Sequence, residues 1–316
     1  MSPKVLVLGA GVSGLSTAQR LLSSGAQVTL WAREDPLATT SAVAAALWYP
    51  FEAGPPARVD DWARRSYRTF LEFAERAVPG VVIEPLLDLR SPAIELPGWV
   101  SELEGFRFVS ELPAGFEQGW EARVPVVETP LYLSWLADEV RARGATLVQR
   151  QVHDFAETRG FDVVVNCTGL GARALCGDRA CFPIRGQIAR VERAGLSRAL
   201  IFHHADGTFG YVIQRSRDCV LGGTAERDNA SLEVDPETTR AILARCRARE
   251  PRLASTVTSA AAGLRPGRAE VRLEAETLSD GRRVVHNYGH GGCGVTLSWA
   301  CAEDASALAL ERRHAS

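Results

Sequence analysis

The chain has 316 residues, 46% of them hydrophobic and 23% charged, enough apolar material to bury a large core in about two domains. Its formal net charge of −2 supplies no basic field for nucleic acid or anionic lipid, and no apolar stretch approaches the roughly 20 residues that span a bilayer. Seven cysteines, an odd number with no C-x-x-C spacing, exclude a disulfide framework, and Lys4, the single lysine, is poorly placed for Schiff-base chemistry. In chain order, KVLVLGAGVSGLSTAQRLLSSGAQVTLW predicts a strand over 5–8, the pattern Gly9-x-Gly11-x-x-Gly14, a helix to about residue 22, a stop at Gly25 and a second strand ending near Trp31. Strand, glycine turn, helix and strand together make a dinucleotide site, because bare backbone and a helix N-terminus suit a pyrophosphate. An acidic residue ordinarily holds the ribose after the second strand. Here Trp31-Ala32-Arg33-Glu34 follows, so Glu34 takes that role one position late or Arg33 contacts phosphate, and the arginine equally fits a 2′-phosphate, which leaves NADP open as a rival.

A polar loop over 33–40 leads into SAVAAALWYPF, and WARRSYRTFLEFAERAV has helical apolar spacing. Residues 80–128 turn to Pro, Gly and alternating apolar residues (GVVIEPLLDL, GWVSELEGFRFV, GWEARVPVVE), the pattern of sheet strands. Thr129 is the expected N-cap of a helix with Pro130 in its first turn and a stop at Gly144. ATLVQRQV and FDVVVNCTG read as strands, and the small-residue turn at Cys167, Thr168 and Gly169 either packs a helix closely or touches a cofactor. Residues 182–278 are strand-dominated around one helix, PETTRAILARCRARE. On pattern alone, Arg265 and Arg268 in GLRPGRAEVRLE read equally well as surface arginines, and Tyr211 in FGYVIQR as strand packing.

In RRVVHNYGHGGCGVTLSWACAEDASALAL a strand-like run stops at Gly289, Gly291, Gly292 and Gly294, and a helical pattern starts at once. This is a second turn that aims a helix N-terminus at a planar or anionic group. Two such turns at opposite ends of one chain point to a long cofactor. His286 and His290 stand four apart, but Asn287, Tyr288 and Gly289 between them break a helix, so no metal site is expected. The alternation predicts an α/β fold with a discontinuous dinucleotide domain (1–47, 129–184, 279–316) interrupted by a second domain (48–128, 185–278).

Read together, VLGAGVSGLSTA, TTSAVAAALWYPF, VPVVETPLYLSWL, VVVNCTGLGA, RGQI, YVI, LGGT, GLRPGRAEVRLE and HNYGHGGCGVTLSW resemble the D-amino-acid oxidase family over nearly the whole chain, the last stretch most specifically. The resemblance implies a Rossmann-type FAD-binding domain of the glutathione-reductase kind and a substrate-binding domain on a large, mostly antiparallel sheet. It implies FAD as cofactor, a D-amino acid and O2 as substrates, hydride transfer from Cα to flavin N5, and a 2-oxo acid, ammonia and H2O2 as products. It puts the substrate carboxylate on Arg265 and Tyr211 and the substrate amine on the Gly292 carbonyl, with no side-chain base needed for a neutral amine. Cofactor contacts are implied at Gly9, Gly11, Val12, Ser13, Gly14, Arg33 and Glu34, at Thr39, Thr40, Ser41, Ala45, Ala46 and Leu47, at Val152 for adenine, at Cys167, Thr168 and Gly169, and along the flavin's pyrimidine edge at Gly291, Gly292, Gly294, Val295 and Thr296.

The chain departs from that pattern in three ways. Vertebrate members carry a second lid tyrosine four residues before the position of Tyr211, where this chain has Gly207 in HHADGTFGY. Cys293 stands where those members have tyrosine and Tyr49 where they have glutamine, so the side-chain pocket is expected to differ. His203, His204 and Asp206 are candidates to reach it, against a reading as solvated loop residues. RRHAS at the C-terminus is not a peroxisomal tripeptide. The expected protein is cytoplasmic, binds neither nucleic acid nor membrane, and prefers a neutral, medium-sized side chain; a homodimer is left open. The rival readings are a glycine or sarcosine oxidase, a pyridine-nucleotide dehydrogenase, and a flavin-binding protein without catalysis.

Overall fold

The computed structural model describes residues 2–51 and 53–311; the C-terminal RRHAS lies outside them. The chain opens with β1 (Lys4–Leu8), α1 (Val12–Ser23) and β2 (Gln27–Ala32), then α2 (Thr40–Val43) and α3 (Pro56–Glu75). It continues through β3 (Val81–Arg90), β4 (Arg107–Phe108), β5 (Gln118–Val127), α4 (Thr129–Ala142), β6 (Thr146–Gln149), β7 (Val163–Asn166) and α5 (Ala172–Leu175). The second half holds β8 (Phe182–Glu192), β9 (Ala199–His203), β10 (Phe209–Gln214), β11 (Asp218–Gly222), β12 (Glu226–Arg227), α6 (Pro236–Arg249), β13 (Val257–Gly267), β14 (Arg272–Thr277), β15 (Arg283–Tyr288) and α7 (Gly294–Leu310).

Two sheets organise these elements. Six strands in the order β14-β15-β7-β1-β2-β6 form the first, parallel except for the β14–β15 pair. Val5, Leu6 and Val7 of β1 are all inaccessible to solvent, as a central parallel strand covered on both faces requires. The second sheet has nine strands, β12-β8-β11-β10-β9-β3-β5-β4 with β13 also on β8, and every pairing in it is antiparallel apart from β3–β9. This is an α/β fold with mixed sheets. No helix among the described residues is long and apolar enough to cross a membrane.

Helix α7 joins the two halves. Buried residues surround it from Val295 to Ala309, as expected of a helix apolar on all sides. Trp299 pins it: its indole N–H donates to the Tyr132 hydroxyl of α4 at 2.8 Å, and its ring meets Phe73 of α3 edge-on at 4.9 Å. Truncating such a fully buried aromatic costs about 3–5 kcal/mol. The apolar face of α3 itself repeats at helical spacing through Val59, Trp62, Tyr67, Phe70 and Phe73.

Three local expectations change. Glu128, not Thr129, stands at the N-cap position of α4, without a side-chain cap; the buried Thr129 hydroxyl donates instead to the carbonyls of Ala42 and Ala44, both at 3.1 Å, so a tertiary contact uses the group expected to cap the helix. Within GWVSELEGFRFV only Arg107–Phe108 is strand, and Val100–Glu102 is a 3-10 turn that buries Trp99, Val100 and Leu103 together. Residues 272–277, on the far side of the boundary expected at 278, pair with β15 in the six-stranded sheet through the Arg272↔Tyr288 to Thr277↔Arg283 register.

Candidate active site

A cavity of about 880 Å³ is lined by both glycine turns, a volume at the upper end of the roughly 300–1,000 Å³ typical of small-molecule sites. One end lies at the tips of β1 and β2. Gly9, with φ of +103°, could not carry a side chain, since a Cβ there would meet the Cys167 carbonyl oxygen at 2.6 Å. Gly11 ends the approach to α1 without a side-chain cap, and the Val12 amide donates to Ser41 Oγ at 3.0 Å. Ser13, Arg33, Glu34, Thr39, Thr40, Ser41 and Val152 line the same end. Arg33 Nε donates to Glu34 Oε1 at 2.8 Å, so the two candidate ribose or phosphate residues are paired with each other. Trp31 and Arg150 also line this end, with the guanidinium 4.1 Å from the ring centroid. Gly14 is the one expected contact residue that does not line the cavity. It is buried in α1, where a Cβ would come within 2.0 Å of the Gly9 carbonyl oxygen, so its bareness serves helix–strand packing.

The middle of the cavity is lined by Ala45, Ala46, Leu47, Cys167, Thr168 and Gly169. Ala46 has φ of +52°, and the Val127 amide donates to its carbonyl at 2.9 Å. Arg215, buried on β10's exit, donates through Nη2 to the carbonyls of Ala44 at 2.6 Å and Ala45 at 3.0 Å. It stiffens the lining from a distance of 170 residues in sequence, and no local pattern marked it. Helix α7 has no side-chain cap, and Gly294, Val295 and Thr296 of its first turn line the cavity together with Gly291 and Gly292. Its positive dipole end therefore points at any group bound there. Thr296 Oγ1 accepts from the Tyr49 amide at 3.1 Å and donates to the Tyr49 carbonyl at 3.2 Å, which anchors the loop opposite.

Arg265 on β13 and Tyr211 on β10 meet at the other end. Each side chain lies across a glycine. A Cβ on Gly186 of β8 would stand 2.3 Å from Arg265 Nη1, and one on Gly222 of β11, the partner of Tyr211 in register, would stand 2.1 Å from the Tyr211 hydroxyl. Both side chains can thus lie along the sheet and approach one another over β8 and β11. Arg265 Nη1 donates to the Thr224 carbonyl at 3.1 Å. Burial raises the Tyr211 phenol above its ordinary value, and the adjacent Arg265 guanidinium pulls it back. Sequence reasoning gave Gly186 and Gly222 no role, although glycine inside a strand does signal close approach of another group.

Beyond Tyr211 the cavity is walled by Tyr49, Phe51, Ile201, His203, Phe209 and Ile213. His203 reaches the cavity, whereas His204 stacks on Phe116 at 5.2 Å and Asp206 closes the β9–β10 turn by accepting from the Thr208 amide and hydroxyl. Gly207, with φ of +82°, belongs to that tight turn. Cys293 does not shape the pocket as expected: its buried thiol turns back to the His290 carbonyl at 3.1 Å. His290 Nε2 donates to Asn287 Oδ1 at 3.1 Å, and His286 meets Asn166 at 3.3 Å, so the two imidazoles serve separate asparagines.

An elongated cavity with an uncapped helix N-terminus in each half and bare glycine at each turn fits FAD by shape and by charge. The comparisons with known proteins agree. A family model described as FAD dependent oxidoreductase (DAO) matches residues 4–308. A D-amino-acid oxidase of Rubrobacter xylanophilus is 49% identical over 311 residues, covering 97% of this chain and 95% of that protein. A D-amino-acid oxidase of Streptomyces coelicolor is 44% identical over 316 residues, covering 97% and 96%. A D-aspartate oxidase of Homo sapiens is 34% identical over 331 residues, covering 99% and 96%. Among solved structures, the glycine oxidase from Geobacillus kaustophilus superposes with a TM-score of 0.81 at 18% identity, over 99% of this chain and 96% of that one, a likeness of fold.

Proposed function

The chain belongs to the DAO family of FAD dependent oxidoreductases, and from that premise we propose that it is an FAD-dependent oxidase that converts D-amino acids to 2-oxo acids. The observation that carries the reading is the convergence of Arg265 and Tyr211 over Gly186 and Gly222, in the same cavity as the Gly9–Gly11 turn. When bound, FAD would supply the acceptor for the hydride that leaves Cα, and O2 would take up that hydride together with the proton released from the amine nitrogen as H2O2.

The protein's own contribution is positioning. Arg265 offers two charge-assisted hydrogen bonds to the α-carboxylate. The Tyr211 hydroxyl donates a third. The Gly292 carbonyl, on a solvent-exposed residue of the cavity wall, accepts from the amine. With carboxylate and amine held, only one enantiomer can turn its Cα hydrogen toward the α7 side of the cavity, and the selection of the D-form follows from that attachment. No carboxylate is among the described residues lining this end, which supports an amine that enters neutral. Loss of hydride from Cα then leaves an imino acid, and water adds to it to release ammonia and the 2-oxo acid.

The seven cysteines are free and six of them are buried, which supports a cytoplasmic setting for the reaction. Aerobic incubation with D-alanine, D-norvaline, glycine and sarcosine tests the proposal. The 2-oxo acid and H2O2 are expected in equal amounts from the D-amino acids, and preferential turnover of glycine or sarcosine would replace the reading with that of a glycine-type oxidase.

A further inference from the structure

A charged cluster that the proposed reaction does not use stands behind the far wall of the cavity. Tyr211 of β10 pairs with Ile201 of β9, and Ile201 with Asp88 of β3; two residues along, Phe209, His203 and Arg90 form the next row on the same face. Two strand spacings, about 10 Å, therefore lead from the carboxylate end of the site to Asp88 and Arg90. Tyr49 covers them. Its hydroxyl donates to Asp88 Oδ2 at 2.8 Å and accepts from Arg90 Nη2, while Arg90 Nε lies 2.9 Å from Asp88 Oδ1. Asp88 is fully buried, and the Arg90 side chain retains 14% exposure. Tyr49 and His203 both line the cavity, so a guanidinium sits one layer behind its wall, cancelled by a buried carboxylate. His203 adds no charge at neutral pH, because burial and then Arg90 hold its imidazole down to about 4.

Resting on the D-amino-acid reading above, we propose that Asp88 is a specificity-determining residue: by cancelling the charge of Arg90 behind Tyr49 it reserves the side-chain end of the site for neutral, apolar side chains and denies acidic ones a partner. An apolar side chain gains from burial against Ile201, Ile213, Phe209 and Tyr49. A second carboxylate would lose its water there with nothing to pair with. Removing the Asp88 charge leaves Arg90 uncompensated and turns the same wall into an anion-attracting one.

The test uses the FAD-loaded protein and two four-carbon acids, butyrate and succinate, which differ only in a methyl or a carboxylate at the far end. Their dissociation constants are read from the perturbation of the bound-flavin absorption spectrum, and kcat/KM is measured for the matched pair D-norvaline and D-glutamate. Wild type is expected to favour butyrate and D-norvaline. Asp88→Asn is expected to raise the succinate-to-butyrate affinity ratio about tenfold, and the kcat/KM ratio in the same direction, and adding Arg90→Met is expected to reverse that gain. An unchanged ratio in Asp88→Asn, or a gain that survives the double substitution, overturns the proposal. Where Asp88→Asn does not fold, Arg90→Met alone decides: its ratio should stay at or below that of wild type, and a rise overturns the proposal. If wild type makes no peroxide from D-norvaline, the functional reading fails by itself, and the binding ratio still judges Asp88.

Discussion

The Gly291 amide donates to the Pro266 carbonyl at 2.8 Å, which ties the glycine turn before α7 to the residue next to Arg265. Two segments from different sheets are thereby fixed relative to each other, the one that offers a helix N-terminus and the one that offers a guanidinium. A side chain at 291, where φ is +54°, would disturb both.

Arg265→Leu should keep its yellow cofactor and lose substrate binding. Removing a charged partner from a desolvated carboxylate costs about 2–5 kcal/mol, so kcat/KM for D-alanine should fall by about 30-fold to several thousand-fold. Steady-state kinetics beside a visible absorption spectrum measures both. Wild-type efficiency in the variant would contradict the assignment of Arg265.

Gly222→Ala tests the glycine floor without touching a polar group. Its Cβ would collide with the Tyr211 ring and hydroxyl, so the ring must lift, at an overpacking cost of about 1–3 kcal/mol. The KM for D-alanine should rise about tenfold or more, with a lower melting temperature. A variant with unaltered KM would mean that the Tyr211 hydroxyl does not serve the substrate.

How much of this was legible in the sequence depended on range. The Gly9-Gly11-Gly14 turn and the glycines before α7 are local demands of the backbone, and they could be read directly. Which of those glycines faces the ligand could not: Gly14 packs against Gly9, a fact of three-dimensional approach. Arg265 and Tyr211 looked as much like surface and packing residues as like a site, and only the family resemblance distinguished them. Gly186, Gly222, Arg215 and the Asp88–Arg90–Tyr49 cluster act through partners that are distant in sequence, so no window of residues contains the signal. Cys293 turns away from the pocket and His204 stacks on Phe116 outside it for a related reason, since position in a motif does not tell which way a side chain turns.

Arg215→Leu should weaken cofactor binding while sparing the substrate end. Its two hydrogen bonds hold the Ala44 and Ala45 carbonyls beside the positive-φ Ala46. Loss of bonds from a charged donor at about 1.5–3 kcal/mol each predicts a rise of tenfold or more in the FAD dissociation constant. Titration of apoprotein with FAD by fluorescence quenching measures it, and unchanged affinity would leave Arg215 a purely structural role.

Acid should destabilise the protein partly through His290. Burial holds its imidazole down to about 4, whereas an unfolded histidine titrates near 6.5. Between about 6.5 and 4 the unfolded chain binds more protons, so the stability contributed by neutral His290 is complete above 6.5 and is lost as pH falls. Urea denaturation should find the advantage of wild type over His290→Gln shrinking by about 1–3 kcal/mol from pH 7 to pH 4.5. A difference independent of pH would show that His290 is not held neutral.

The most direct test of the central claim, that Arg265 and Tyr211 fix a D-amino acid against bound FAD, is anaerobic mixing of the purified protein with the two enantiomers of alanine. The visible flavin absorption should bleach with D-alanine, persist with L-alanine, and bleach far more slowly with D-alanine in Arg265→Leu. Equal bleaching by both enantiomers, or none by either in protein loaded with FAD, would contradict the account.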